Sequence, residues 1–415
     1  MKSIHKNQMA VAILTRVFPN IVQTYVLNHI ISLKNTRINT IIISEHGPRH
    51  DEVHPNVYHF DLLRRTIYIK HTAKELLKHL FSTPITNTRN LTRIIFSNIW
   101  KKEGLKYGFR ALTRALFLPI HEIDLIHSHS LFSSYNFLFL NVVFKIPLTT
   151  TFHGLVPNNV KMLEQRKISA VLTAGDAFFV NTEFAKNQLL GYGCQSEKIH
   201  KIPQGTNIDD FPYMERKINM DEPIIILSVG RLSIEKGFHI AINAIASIID
   251  EYPNIDYRIV GNGLERDNLQ KQIDGLALTN NVRLYGSLST ADLSNQYSVS
   301  HIFILPSIDL HDGYHVETQG VVLQEAQASG IPVIASHTGG IPEIIQDNTT
   351  GLLFEENNDN ELSDKIKILI RDKNLYKSLS ISGRTDVENN YRNEVISKKL
   401  VDVYKRILAS NGEAI

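Results

Sequence analysis

The stretch HIFILPSIDLHDGYHVETQGVVLQEAQASGIPVIAS, His301 to Ser336, decides the fold. Its opening apolar run, His301 to Leu305, is closed by Pro306 and Ser307, the pattern of a fully buried strand. A polar loop rich in Asp, His and Gly follows. From Gly320 the pattern turns helical, with Val321, Val322, Ala326 and Ala328 as apolar positions and Gly330 as the stop. A second strand, Ile331 to Ala335, begins at once. Strand, loop, helix and strand in this order form one βαβ unit of a parallel sheet. Its chemistry lies in two carboxylates, Glu317 before the helix and Glu325 inside it. A loop opening onto a helix at the carboxyl end of a parallel strand is where open α/β sheets bind ligands. The first helical amides, near Gly320, Val321 and Val322, lack intrahelical partners and can take a phosphate. A carboxylate can then accept hydrogen bonds from sugar or ribose hydroxyls. Taken alone, the pair also fits a solvated loop glutamate and a helix-surface glutamate.

Upstream lie SVGRLSIEKGFHIAINAI, Ser228 to Ile245, and YRIVGNG, Tyr257 to Gly263. With VGRLSIEKG, IVGNGLERDNLQ, the Glu317/Glu325 pair and ASHTGGIPEII in this order, the carboxyl half resembles the retaining glycosyltransferases of family 4. That resemblance implies the GT-B architecture: two Rossmann-like, doubly wound α/β domains facing each other across a cleft. It further implies that Arg231 and Lys236 supply cations to a donor diphosphate, that Glu325 holds the ribose, and that Glu317 contacts the donor sugar near the reacting carbon. No Asp-x-Asp pair of the kind used by metal-dependent sugar transferases is present, and two cations plus a helix dipole suit metal-independent transfer. No metal and no cofactor are therefore expected, the nucleotide-sugar being a substrate.

The chain has 415 residues, 43% hydrophobic and 21% charged, with a net charge of +2. That length exceeds one ordinary core, so two domains of about 200 residues are expected. The composition is that of a globular chain and excludes a disordered one. A single cysteine, Cys194, excludes an internal disulfide framework and suits a reducing compartment. The amino terminus has a positive start and an apolar run, Ala10 to Leu14, too short for a signal sequence; it reads as the first buried strand. With no uncharged apolar stretch of spanning length, the protein is expected in the cytoplasm.

FPNIVQTYVLNHIISLK, Phe18 to Lys34, reads as a loop and an amphipathic helix, and is similar to the opening of colanic-acid-type exopolysaccharide glycosyltransferases. Many relatives place glycines in this loop, where this sequence has Asn20 and Ile21. Residues 61–120 hold twelve Lys and Arg against three acids, while the whole chain carries only +2. Leu76, Leu77, Leu80, Phe81 and then Ile94, Ile95, Ile99 and Trp100 recur between these cations at helical spacing. A basic amphipathic stretch suits an anionic membrane surface; equally, its apolar stripe packs on the domain and its cations face water. No nucleic-acid recognition motif accompanies the charge, and no nucleic-acid partner is expected.

IDLIHSHS, Ile123 to Ser130, is a strand with His127 and His129 on one face, a spacing that could begin a metal site but with no third ligand in view. A His-x-His beside the cleft is common in the resembled family, which favours substrate-side packing. IPLTTTFHG, Ile146 to Gly154, ends in His153. Alone such a histidine reads as structural; the resemblance makes it the imidazole against the transferred sugar, neutral and positioning the acceptor hydroxyl. Thr182 is a natural N-cap for the next helix. KIPQGTNIDDF, Lys201 to Phe211, is the expected hinge.

The domains are accordingly drawn as 1–205, the acceptor side; 206–390, the nucleotide-sugar side; and 391–415, a helix returning to the first domain. The expected activity moves a sugar, with retention, from a nucleotide-diphosphate sugar to a hydroxyl on a glycan or lipid-linked saccharide. A nucleotide-sugar epimerase or a binding protein on the same fold are the alternatives.

Overall fold

The computed structural model describes residues 8–19, 24–34, 36, 38–48, 55–69, 85–154, 162–310 and 316–412. Two parallel sheets dominate it. Seven strands form the first: β1 (Met9–Val17), β2 (Ile38–His46), β3 (Thr66–Tyr68), β4 (Leu125–Ser128), β5 (Leu148–Phe152), β6 (Ala177–Val180) and β7 (Ile199–Lys201). Their spatial order is β3-β2-β1-β4-β5-β6-β7. The second sheet has β8 (Ile224–Val229), β9 (Ile255–Val260), β10 (Val282–Gly286), β11 (Ile302–Leu305), β12 (Val333–Ser336) and β13 (Leu352–Phe354). It runs β10-β9-β8-β11-β12-β13. The order reverses beside β1 and β4 in one sheet and beside β8 and β11 in the other. Those are the switch points at which such sheets leave a crevice.

The strands are continuous apolar runs because helices cover both faces. Residues Ala10 to Leu14 of β1 and all of β11 are fully buried. The helix Thr24–Lys34 buries Val26, Leu27, Ile30 and Leu33. Against them lie Ile396, Leu400, Val401, Tyr404 and Leu408 of the final helix, Asn393–Ser410, in one core cluster. Each such buried aliphatic contributes about 2 kcal/mol. The last helix of the chain thus belongs to the first sheet's core.

Sequence and structure differ at element edges for identifiable reasons. Pro332 has no amide for the ladder, so β12 starts at Val333 rather than Ile331, while the Pro332 carbonyl still accepts from Phe303 (3.0 Å). The final helix starts at Asn393, not Tyr391, because Val387–Tyr391 forms a π turn. Within Val321–Ala328, Val321 and Val322 are only half-buried, and Leu323, Ala326 and Ala328 carry the core face. Two glutamines are buried beside them, each bonded through one end of its carboxamide. Gln324 Oε1 accepts from the Thr206 hydroxyl (3.0 Å), and Gln327 donates to the Thr350 carbonyl (2.8 Å).

In the basic stretch, Arg114 turns inward, 4% exposed, and pairs with buried Glu45 at 3.1 Å. It is a core ion pair rather than a surface cation. Residues 61–69, with Arg64, Arg65 and β3, precede the helices Ile85–Ile95, Ile99–Glu103 and Leu105–Phe117, which hold most of the other described cations. Ile94 and Ile99 are buried there, but Ile95, Phe96, Leu105 and Phe109 are exposed. Asn20, Ile21 and the Leu76–Phe81 stripe lie outside the described residues. Among those described, no helix is long and apolar enough to cross a membrane.

Candidate active site

The turn after β8 must fit under two neighbouring backbones. A side chain at Gly261 would place Cβ 1.8 Å from the Gly230 carbonyl oxygen, and one at Gly237 would place it 1.8 Å from that of Pro306. Gly237 also has φ +64°, which a side chain disfavours. This tight entry delivers Lys236, on the turn Ile234–Lys236, to Glu317 beyond β11: Nζ to Oε2 is 2.5 Å. Glu317 Oε1 accepts from the Gly320 amide at 3.1 Å. Burial pushes the Glu317 carboxyl up, but Lys236 and the amides of Gly320 and Gln319 outweigh it and hold it below its usual range. Of the three amides expected to be open to a phosphate, Gly320's is therefore occupied by Glu317.

Glu325 sits on the helix that follows, Val321–Ala328. Its Oε2 accepts from the hydroxyl of fully buried Tyr297 at 2.7 Å. Burial, with a smaller contribution from Asp210, raises its pKa to about 7 even though the Tyr297 bond works the other way. Arg231 is exposed just before that turn, and its side chain has no partner among the described residues. Lys236 and Glu317 are thus brought into direct contact, Glu325 lies on the helix that follows Glu317, and Arg231 is exposed to solvent.

The first sheet meets this face through Thr318. Its hydroxyl donates to the His153 carbonyl (3.2 Å), and its carbonyl accepts from the Thr182 hydroxyl (3.0 Å). Thr182 also caps its own helix, Glu183–Gly191, accepting from Ala185 N at 3.2 Å. Gln204 and Gln319 exchange backbone and side-chain bonds across the divide, at 2.8 and 3.0 Å. Glu343, in the segment ASHTGGIPEII, accepts from the amides of Glu183 (2.7 Å) and Phe184 (2.8 Å). A carboxylate of one domain thereby caps a helix of the other.

His153 follows β5 and has both ring nitrogens engaged. Nδ1 lies 3.1 Å from Gln204 Nε2 and Nε2 lies 3.1 Å from His129 Nδ1. Tyr25 packs on the ring, centroids 4.2 Å apart. Burial pushes His153 down to about 3, so the imidazole is neutral. His129 continues to His29 at 2.8 Å, and Tyr404 lies 2.7 Å from His127 Nδ1. A cavity of about 60 Å³ beside them is lined by Tyr25, His29, His129, His153, Asn181 and Gln204. Among the described residues the Asn181 carboxamide, 1% exposed, finds a partner for neither atom; a cavity so lined suits ordered water.

The third histidine absent from the local sequence pattern is His29. Among the described residues, His29, His127 and His129 bring ring nitrogens within 4.8 Å of one another, a grouping that could hold a metal ion. The same nitrogens are taken up in hydrogen bonds to one another, to Tyr404 and to Thr151. Local spacing singled out neither His29 nor Tyr404, which occupy apolar helix faces, nor Tyr297. Gln204 and Glu343 lie inside segments the sequence did mark.

Residues 22–210 match the family model described as Glycosyltransferase Family 4, and residues 211–386 match Glycosyl transferases group 1. The chain belongs to the family 4 glycosyltransferases. Its relatives include the amylovoran biosynthesis glycosyltransferase AmsK of Erwinia amylovora, 27% identical over 260 residues, 62% of this chain and 63% of that one. Another is the putative colanic acid biosynthesis glycosyltransferase WcaL of Escherichia coli K12, 27% identical over 63% of this chain and 64% of that one. The matched part spans less than two thirds of either relative. Among solved structures, HepE of Anabaena in complex with UDP superposes with a TM-score of 0.72 at 16% identity, covering 96% of this chain and all of that one. Sucrose-phosphate synthase of Thermosynechococcus elongatus does so with 0.73 at 21% identity, covering 97% and 100%. These glycosyltransferase likenesses establish the fold as GT-B.

Proposed function

We propose that this glycosyltransferase moves a sugar from a nucleotide-diphosphate sugar to a hydroxyl on a glycan or lipid-linked saccharide in exopolysaccharide synthesis, with retention of configuration. The observation that carries the reading is the Lys236–Glu317 pair at the β8/β11 switch point, next to Thr318, whose hydroxyl bonds the backbone carbonyl of His153 while the His153 ring turns to Gln204 and His129. Lys236, Arg231 and the amides of Val321 and Val322 would neutralise the diphosphate as it leaves, without a metal. Glu325 takes the ribose hydroxyls and Glu317 the sugar. His153 serves as a neutral positioning group, since a ring held near pKa 3 is too weak a base to take the acceptor's proton. The acceptor oxygen then bonds to the anomeric carbon as the carbon–phosphate-oxygen bond breaks, its electron pair and the acceptor proton both going to the diphosphate.

AmsK and WcaL are named for exopolysaccharide synthesis, and HepE carries UDP, which support the donor class and the pathway. The test is incubation with nucleotide-sugars with and without a glycan acceptor, product anomers being read by NMR. Nucleoside diphosphate released only with acceptor, and a product of unchanged anomeric configuration, is the expected result. A sugar altered without acceptor would instead establish an epimerase, and a glycosyl adduct on Glu317 would replace the single-step route by a double displacement.

The proposed place is the cytoplasmic face of an anionic membrane. Phe96 is 87% exposed, Leu105 70% and Phe109 62%, with Phe109 packed edge-on to Trp100 and Lys101, Lys102, Lys106 and Arg110 exposed around them. Exposed aromatics ringed by cations suit an interface of lipid headgroups.

A further inference from the structure

We infer that Gln204, His129 and His29 are positioning residues for His153, joined to it in one hydrogen-bonded chain that runs on to Tyr404 and leaves Nδ1, the nitrogen facing Gln204 at the hinge, as its acceptor. This rests on the role given to His153 above. A neutral imidazole has one N–H and one bare nitrogen, so every ring in such a chain donates at one end and accepts at the other. The direction of any one link therefore fixes all of them.

Gln204 sets that direction. Its Nε2 donates to His153 Nδ1 (3.1 Å). His153 Nε2–H must then donate to His129 Nδ1 (3.1 Å), and His129 Nε2–H to His29 Nδ1 (2.8 Å). His29 Nε2–H donates to the Tyr404 oxygen (3.4 Å), the Tyr404 hydroxyl to His127 Nδ1 (2.7 Å), and His127 Nε2–H to the Thr151 oxygen (3.0 Å). The Thr149 hydroxyl, 3.1 Å from His127 Nδ1, instead donates to the Ile126 carbonyl (3.0 Å), leaving that nitrogen to Tyr404. All four rings come out as the same tautomer, with no link left in conflict. Burial keeps them unprotonated: His29 and His153 are pushed down to about 3, and His127 and His129 well below the usual value. A charged ring would carry two donors and break the sequence.

The chain gathers groups from the hinge, the ends of β4 and β5, the helix Thr24–Lys34 and the final helix. Its consequence for the reaction is specific. A substrate hydroxyl bonding to His153 must enter as a donor at Nδ1, in the place Gln204's amide holds. With the Gln204 carboxamide turned, every link would reverse and His153 would offer Nδ1–H instead.

The test is a long-range proton–nitrogen NMR spectrum of the full chain labelled with ¹⁵N-histidine. Nε2–H tautomers at His153, His129, His29 and His127 are expected at neutral pH; Nδ1–H at His153, or averaged tautomers, overturns the inference. Gln204→Leu removes the donor that sets the direction, and should convert His153, His129 and His29 to mixed tautomers and lower kcat about fivefold with the donor KM unchanged; a spectrum and kcat equal to the parent's overturn the inference. Tyr404→Phe removes only the two links beyond His29, and should free the His127 tautomer while His153 stays Nε2–H. His153→Gln separates this from the reading beneath it. Full transfer by that variant, with the remaining tautomers intact, removes the role of His153 and with it the positioning role. An inactive variant beside a parent lacking the tautomer pattern overturns the chain alone.

Discussion

At the residue scale, two groups on the second domain make opposite use of burial. Glu317 is kept ionised by Lys236, whereas Glu325 has no cation and is raised to about 7. Removing Lys236 strips a cation from the proposed diphosphate site and leaves the Glu317 carboxylate without its counter-charge. Lys236→Ala should lower kcat at least roughly a hundredfold in a transfer assay; a loss under about tenfold would argue against the diphosphate role. Glu325 gives a pH signature. In its proposed role the ionised form accepts ribose hydroxyls, so binding would first have to remove a proton below pH 7. Affinity for a nucleotide-sugar should weaken as pH falls from 7, by up to about tenfold per unit, and level off above it. Calorimetric titrations from pH 5.5 to 8 check this, and Glu325→Gln should flatten the curve. The sequence marked both glutamates and both cations, because all four lie in short motifs. The contact between Lys236 and Glu317 spans 81 residues and was not legible from spacing.

At the element scale, the helix Glu183–Gly191 has two caps of different origin. Thr182 is local, and a Thr before a Glu announces it in the sequence. Glu343 comes from the other domain, 160 residues on, and takes the amides of Glu183 and Phe184 while Lys201 lies 3.5 Å away. A carboxylate at a helix amino end is favoured by the peptide dipoles as well as by the bonds themselves. Glu343→Ala should therefore speed amide hydrogen exchange of residues 183 and 184 by about fivefold, the equivalent of about 1 kcal/mol. Unchanged exchange would mean that the two domains are not held together there. The histidine chain was hidden for a related reason. His29 and Tyr404 are 375 residues apart, and each sits on an apolar helix face where a ring reads as ordinary core. Strands were plain because parallel sheets bury continuous apolar runs. Their ends were not, since Pro332 and the π turn at Val387–Tyr391 act through backbone bonding that hydropathy does not register.

At the scale of the whole molecule, the charge is uneven: the basic stretch between residues 61 and 120 lies in the first domain, while the net charge is only +2. The exposed Phe96, Leu105 and Phe109 ridge among those cations should bring the protein down with vesicles containing anionic lipid and not with neutral ones. Raising salt to about 1 M should release most of it, because the Debye length then shrinks to about 3 Å. Phe96→Glu with Phe109→Glu should abolish sedimentation while leaving transfer to a soluble acceptor intact; sedimentation that ignores salt and these substitutions would sink the membrane proposal. The chain crosses between domains twice and the crossings touch. Thr206 N donates to the Tyr391 carbonyl (2.8 Å), and Asn393 N to the Thr206 carbonyl (3.2 Å). Everything from about 207 to 391 is thus a cassette spliced into a domain whose own ends, before and after it, close on each other. Exchanging that cassette between relatives needs two junctions, one on either side of this paired crossing, and a graft made with a single junction would leave the recipient's first core with a foreign last helix.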